Sequence, residues 1–220
     1  MNKKLVTFIG LLVLIIPVVY LVFLYPTIPN IVPLHFGIDG KPDSFREKTE
    51  LIRLVAVLSG LNLLIFLLLL NIKNLDPKLK GENEDKTILK IALVLVTVFS
   101  ALQVYFVYNT TVVDWKVSTH ILTLTGVLFT VLGNYMYSIK QNYFVGIKTP
   151  WTLQYEDNWK ATHRLGGKLW FFGGILIVFF SLALPETWAL VVFGTVIAVI
   201  TIIPIAYSYR YYKRYNQTSK

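Results

Sequence analysis

The chain has 220 residues, 55% of them hydrophobic and 15% charged, with a formal net charge of +9 and no cysteine. A soluble domain carries roughly 25% charged residues, so water is excluded as the main solvent of this surface and a lipid bilayer is expected in its place. The missing cysteines exclude disulfides, thiolate metal sites and cysteine nucleophiles.

A membrane-spanning helix needs about 17–25 apolar residues, and six runs approach that length. The first, Leu5–Leu24, is longer than the h-region of a signal peptide, about 7–15 residues. It also lacks a small-x-small cleavage site, so it is read as a retained span, with Pro17 as a kink. The loop that follows, residues 25–50, contains "YPTIPNIVPLHFGIDGKPDSF". Pro26, Pro29 and Pro33 fix φ and favour a rigid, extended exit from the bilayer, and Asp39-Gly40 is a turn dipeptide. Pro33, His35, Phe36, Gly37, Asp39, Gly40, Pro42 and Asp43 form the candidate outer-loop site. His35, Asp39 and Asp43 would converge on a metal only if the loop folded back on itself. The simpler expectation is an ordered loop with Phe36 and Phe45 packed on the bundle or the interface, and no cofactor.

The second run, Leu54–Leu70, holds Ser59, Gly60 and Asn62, residues suited to close helix contact. Residues 71–87 are charged with both signs and read as a solvated connector. The third run, Ile91–Val107, carries the amide of Gln103. The fourth, Ile121–Tyr137, carries Asn134. The fifth and sixth, Leu169–Leu184 and Trp188–Ala206, are joined tightly through Pro185–Thr187. The tail alternates tyrosine with basic residues, a pattern of the membrane–water interface.

With the N-terminus in the cytoplasm and six alternating spans, sixteen of the 21 lysines and arginines fall on the inner side. That asymmetry follows the positive-inside rule and accounts for the net charge without direct binding to nucleic acid. All charged residues lie outside the central parts of the runs. An ion- or proton-coupled pump would usually need one there.

Between the fourth and fifth runs lies "GIKTPWTLQYEDNWKATHRLGG". Thr149 before Pro150 is a helix start, and Gly166-Gly167 reads as a stop. Trp151, Tyr155, Trp159 and His163 recur every four residues along one flank, joined by Asn158 and Thr162. Glu156, Lys160 and Arg164 lie on the adjacent face, with Glu156 and Lys160 in the favourable i,i+4 order. A short amphipathic helix at the cytoplasmic surface is expected, its aromatic flank seated at headgroup depth or against the bundle. His163 with Glu156 or Asp157 would be an acid–base pair, but no nucleophile motif, phosphate loop or second histidine accompanies it.

These two segments, in this order, resemble the SdpI family and the small N-terminal domain that often accompanies it. The N-terminal resemblance rests on Pro33, His35-Phe36-Gly37 and Gly40-Lys41-Pro42-Asp43. The second rests on Gly133-Asn134, Asn142, Gly146-Ile147, Thr149-Pro150-Trp151-Thr152-Leu153, Trp159 and Thr162-His163. Lys148 stands where the family usually has arginine, which keeps the charge and loses the bidentate fork. The resemblance implies a non-enzymatic immunity protein of the bacterial plasma membrane, protecting against a secreted antimicrobial peptide toxin. It further implies sensing of that toxin and recruitment of a cytoplasmic helix-turn-helix repressor. The candidate partner surface comprises Asn134, Asn142, Gly146, Lys148, Thr149, Pro150, Trp151, Trp159, Lys160, His163 and Arg164.

The expected architecture is an all-α integral membrane protein with six transmembrane helices, both termini cytoplasmic, and the interfacial helix between spans four and five. Residues 1–72 would form a two-span unit with its ordered outer loop, 73–90 a connector, and 91–220 a four-span unit bearing the signature segment 140–168. A small six-span transporter or lipid-handling permease is the alternative, with Asn62, Gln103 and Asn134 as its polar points.

Overall fold

A computed structural model describes residues 2–37, 42–79, 86–111 and 117–218. The chain is mostly helical: α1 (Lys3–Leu24), α2 (Lys48–Leu70), α3 (Ile72–Leu75), α4 (Lys86–Asn109), α5 (Val117–Met136), α6 (Pro150–Gln154), α7 (Glu156–Ala183) and α8 (Glu186–Thr218). Two strands, β1 (Ile31–Phe36) and β2 (Pro42–Glu47), add a small antiparallel sheet that the all-α expectation did not include. Among the described residues, five helices are long and apolar enough to cross a membrane: α1, α2, α4, α7 and α8. The 20-residue α5 is not among them; Thr119, His120, Thr123, Thr125, Thr130 and Asn134 dilute its apolar content. The chain is a multi-pass membrane protein.

Two compact units emerge. The first comprises Met1–Leu70 and Leu89–Leu124. In it α1 buries Val6, Gly10, Leu14, Pro17 and Leu21, a stripe with the period of one helix face. That stripe meets α2. The Phe66 ring occupies the space a Cβ on Gly10 would need, so glycine is what lets the ring in. At the far end Leu21, Ile28, Val32, Leu51, Val55 and Val107 form a core beneath the strands. The ladder pairs Ile31 with Glu47, Val32 with Arg46 and Pro33 with Phe45, then shifts register on either side of His35. Pro33 has no N–H to give a ladder, and irregular pairing of this kind is how sheets accommodate proline. Lys48 N–H donates to Asn30 O at 2.9 Å and closes the base. The segment between α1 and α2 therefore holds a two-stranded element, and Phe45 is exposed on it. Between α2 and α4, Ser59 Oγ donates to Gln103 Oε1 at 2.9 Å, and Asn62 Nδ2 donates to Val96 O and Ser100 Oγ at 3.3 and 3.2 Å. Such interhelical bonds are the glue expected where lipid removes the hydrophobic drive.

The second unit comprises Asn71–Ile88 and Thr125–Lys220. Its α7 and α8 form the antiparallel pair expected from Pro185–Thr187, and Trp170 Nε1 donates to Ile200 O at 3.2 Å. Along α5 and α7, glycines face each other. A Cβ on Gly126 would lie 2.8 Å from Gly174 O, and one on Gly167 would lie 2.9 Å from Gly133 O. This close approach corrects the reading of Gly166-Gly167 as a helix stop. Both glycines lie inside the 28-residue α7 and are buried. Their helix-propensity cost, about 1 kcal/mol each relative to alanine, is offset by packing that a side chain would prevent, against the Gly133 backbone at Gly167 and against the Ile147 side chain at Gly166.

Candidate functional site

The segment from Ile139 to Arg164 is organised by side chains that bond to backbone. Asn142 is fully buried. Its Oδ1 accepts from Phe144 N–H and Val145 N–H at 2.8 and 2.7 Å, and its Nδ2 donates to Lys140 O and Val145 O at 2.8 and 2.9 Å. One amide thus satisfies four backbone groups of a buried turn, which no apolar side chain can do. The chain then passes through Gly146 at φ 120°, a region that side chains other than glycine rarely adopt. A Cβ there would also meet the His163 ring and lie 3.0 Å from the Trp159 indole.

Ile147 N–H donates to His163 Nε2 at 3.0 Å, while His163 Nδ1 sits 2.8 Å from Trp159 O. Nε2 must accept and Nδ1 must donate, so the ring is held as the neutral Nδ1–H tautomer. Trp159 stacks on that ring, centroids 3.9 Å apart, and its Nε1 donates to Ile139 O at 2.9 Å. Both residues are about 1% exposed. Thr149 caps α6 as the Thr-Pro pair predicts: Thr152 N–H donates to Thr149 Oγ1 at 3.2 Å, and Thr149 N–H to Thr152 Oγ1 at 2.8 Å. Ser208 on α8 ties the segment down. Its Oγ accepts from Trp151 Nε1 at 2.6 Å and its carbonyl from Asn158 Nδ2 at 2.9 Å. Trp151 also stacks on Tyr212.

One expectation is corrected by this geometry. The single amphipathic helix is instead α6, an extended residue at Tyr155, and α7 running on as a candidate span. Of the two placements expected for the aromatic flank, Trp159 and His163 take the one against the bundle, as the core of a buried polar knot. His163 and Glu156 form no acid–base pair. His163 has both nitrogens committed to backbone, and exposed Glu156 pairs with Lys160 at 2.8 Å. The exposed charges of the segment are Lys140, Lys148, Glu156, Asp157, Lys160 and Arg164. Lys148 Nζ donates to Phe144 O at 3.0 Å, and Arg164 donates to Tyr137 Oη at 3.3 Å with its guanidinium over that ring. Asn134, Tyr137, Arg164, Lys168 and Phe171 line a shallow groove of about 530 Å³ floored by Gly133 and Gly167. Pro150 is also exposed.

Sequence reasoning missed Asp76, Gln141 and Ser208 as parts of this knot. Buried Asp76 accepts from Lys78 N–H at 2.8 Å and from Tyr143 N–H at 2.6 Å. Gln141 Nε2 donates to Thr152 O and Leu153 O at 2.6 and 3.0 Å. The position of Asp76 beside Pro77 in a charged connector gives no local signal of that burial.

In the first unit, His35 Nδ1 and Asp43 Oδ1 are 2.6 Å apart across β1 and β2, both well exposed. Pro33 and the backbone of Phe36 belong to β1, Pro42 to β2, and Gly37 follows β1. Asp39 and Gly40 lie outside the described residues. Among the described residues no group of three or more His, Asp or Glu side chains could hold a metal.

The model of the SdpI/YfhL protein family matches residues 138–208, which contain every part of the knot except Asp76. That of the Domain of unknown function (DUF1648) matches residues 12–59, which contain both strands. The chain is 26% identical over 201 residues to the Immunity protein SdpI of Bacillus subtilis (strain 168), covering 89% of this chain and 90% of that relative. No solved structure matches the chain significantly. The resemblance read from the two motifs is therefore supported by both family models and along most of the chain.

Proposed function

We propose that this SdpI-like, multi-pass membrane protein is a non-enzymatic immunity protein of the bacterial plasma membrane, giving resistance to a secreted antimicrobial peptide toxin. The observation that carries this reading is the similarity to the Bacillus subtilis immunity protein over 89% of the chain. In this reading α5 is the sixth span: its 20 residues reach about 30 Å at 1.5 Å per residue, the thickness of the hydrocarbon core. Both termini are cytoplasmic, in keeping with the distribution of basic residues. The strands then face outward, where a toxin arrives, and the knot faces inward.

The inner face would also serve signalling, holding a helix-turn-helix repressor at the membrane once toxin is sensed. The exposed cations Lys148, Lys160 and Arg164 are the surface available for it. Buried Asn142, Thr149, Trp159 and His163 would shape that surface without touching a partner.

Deleting the gene should sensitise cells to a secreted antimicrobial peptide, and expressing it in a sensitive host should protect. Unchanged susceptibility in both strains across a panel of such peptides would overturn the proposal.

A further inference from the structure

The groove between α5 and α7 changes character along its length. One end is lined by Arg164, Lys168, Asn134 and Tyr137, the other by Phe171 and Phe172. Arg164 and Lys168 are exposed and one turn apart on α7, about 6 Å along the axis at 1.5 Å per residue. Phe172 lies a further turn along and is 63% exposed. Lys168 is the last charge before the apolar run Leu169–Leu184, which belongs to a candidate span. Gly133 and Gly167 bring the two backbones together beneath the groove, and with no side chains to fill it a recess of about 530 Å³ stays open.

The charge in the groove has one sign. Among the described residues that line it, none is acidic. Glu156, two turns before Arg164, is paired with Lys160 at 2.8 Å. Arg164 donates to the neutral phenol of Tyr137 at 3.3 Å, which uses one of the five donors of a guanidinium. The same guanidinium lies 5.2 Å from the centroid of the Tyr137 ring, so stacking holds it at the groove. It also covers the aromatic face on which a choline ammonium would sit. An anion therefore meets a pair of cations here, whereas a headgroup cation meets neither a carboxylate nor that ring face.

Depth selects the occupant. A free inorganic anion would meet the cations and leave the phenylalanines unused. An acidic segment of a soluble protein would have to pass Lys168 into hydrocarbon to reach Phe172. A phospholipid presents phosphate and then acyl chain in this order, and basic pockets between membrane helices are sites for anionic headgroups.

We infer that the α5–α7 groove binds an anionic phospholipid, its phosphate held by Arg164 and Lys168 and an acyl chain lying along Phe171 and Phe172. The Asn134 amide and the Tyr137 hydroxyl are available to headgroup oxygens. The site requires only that α7 spans a membrane and stands apart from the immunity reading. Arg164 then borders two surfaces, since Lys148 and Lys160 do not line the groove.

The test uses the full chain purified in detergent, with native mass spectrometry measuring retention of phosphatidylglycerol and of phosphatidylcholine with identical chains. The tightest-bound lipid should be phosphatidylglycerol, held at least about tenfold more tightly than phosphatidylcholine. Arg164→Gln and Lys168→Gln should each weaken it about fivefold, the worth of one basic side chain at an anionic surface, and leave phosphatidylcholine unchanged. A control combining Lys4→Gln with Lys213→Gln removes as much charge as the groove pair and should leave the tightest site intact. Glycerol 3-phosphate, which carries the phosphate without the chains, should not displace the lipid. Equal affinity for the two lipids, a preference kept when Arg164→Gln and Lys168→Gln are combined, or an equal loss in the control overturns the inference. Displacement by glycerol 3-phosphate at matching concentration means a site for free phosphate and overturns the lipid. A loss in Arg164→Gln with none in Lys168→Gln assigns Arg164 to a protein-facing surface, and the inference falls. Should Arg164→Gln fail to fold, the wild-type comparison and Lys168→Gln decide.

Discussion

The two motif-bearing regions are built in opposite ways. In the second unit the motif side chains Asn142, Thr149, Trp159 and His163 are buried and spend their polar atoms on backbone. In the first unit His35 and Asp43 stand exposed on paired strands and bond only to each other among the contacts described. A distinctive motif can therefore be a scaffold in one place and a presented surface in another. Burial and bonding decide which, and stability measurements separate them.

The largest effect is expected inside the knot. Gly146→Ala forces a side chain into a positive-φ position, a strain of about 1–3 kcal/mol, and drives its methyl into the His163–Trp159 stack. We expect a loss of at least about 3 kcal/mol for the two together, read as a collapse in folded yield and melting temperature in detergent. Asn142→Leu belongs to the same class, since each buried group it strands costs about 1–3 kcal/mol. A melting curve unchanged by either substitution would break the view of this segment as a scaffold.

His163→Leu is expected to be milder. It removes the acceptor of Ile147 N–H and the donor to Trp159 O, and the unpaired Ile147 N–H costs about 1–3 kcal/mol. The comparison is sharpened by pairing it with His35→Ala. That exposed substitution should leave the melting temperature unchanged while reducing protection against the toxin. Equal destabilisation by both would erase the distinction between the regions. Thr149→Ala removes only the cap of a five-residue helix and should cost about 1 kcal/mol, seen as a small downward shift in melting temperature.

Which features were legible follows from the range of the interactions. Five of the six apolar runs and the Thr149-Pro150 helix start are local chemistry and are present in the structure as read. Gly166-Gly167 misled because a glycine stop is a local signal, whereas the contact with Gly133 is tertiary and overrides it. Asp76 and Ser208 were invisible because their partners Tyr143 and Trp151 are 67 and 57 residues away. The strands were missed because Pro33 argues against a regular ladder, and the pairing tolerates it only through its register shifts. The four-residue spacing of Trp151, Tyr155, Trp159 and His163 pointed to one flank, but the extended residue at Tyr155 divides it between two helices. Trp159 and His163, which remain on α7, are buried against the rest of the unit.

The smallest effect on folding is expected from the cations left outside the knot, and there the comparison has its finest test. Lys148 and Arg164 make single exposed hydrogen bonds, and Lys160 a solvent-exposed ion pair; such contacts contribute little to stability. Alanine at all three should leave the melting temperature of the purified protein within error of wild type. If the scaffold exists to present these charges, the same triple variant should lose membrane recruitment of the repressor in a fractionation assay while still protecting cells from the toxin. That split would show that folding, protection and signalling draw on different side chains of one chain. Recruitment retained in the triple variant would move the docking surface elsewhere, and a fall in melting temperature would mean that these cations belong to the knot after all.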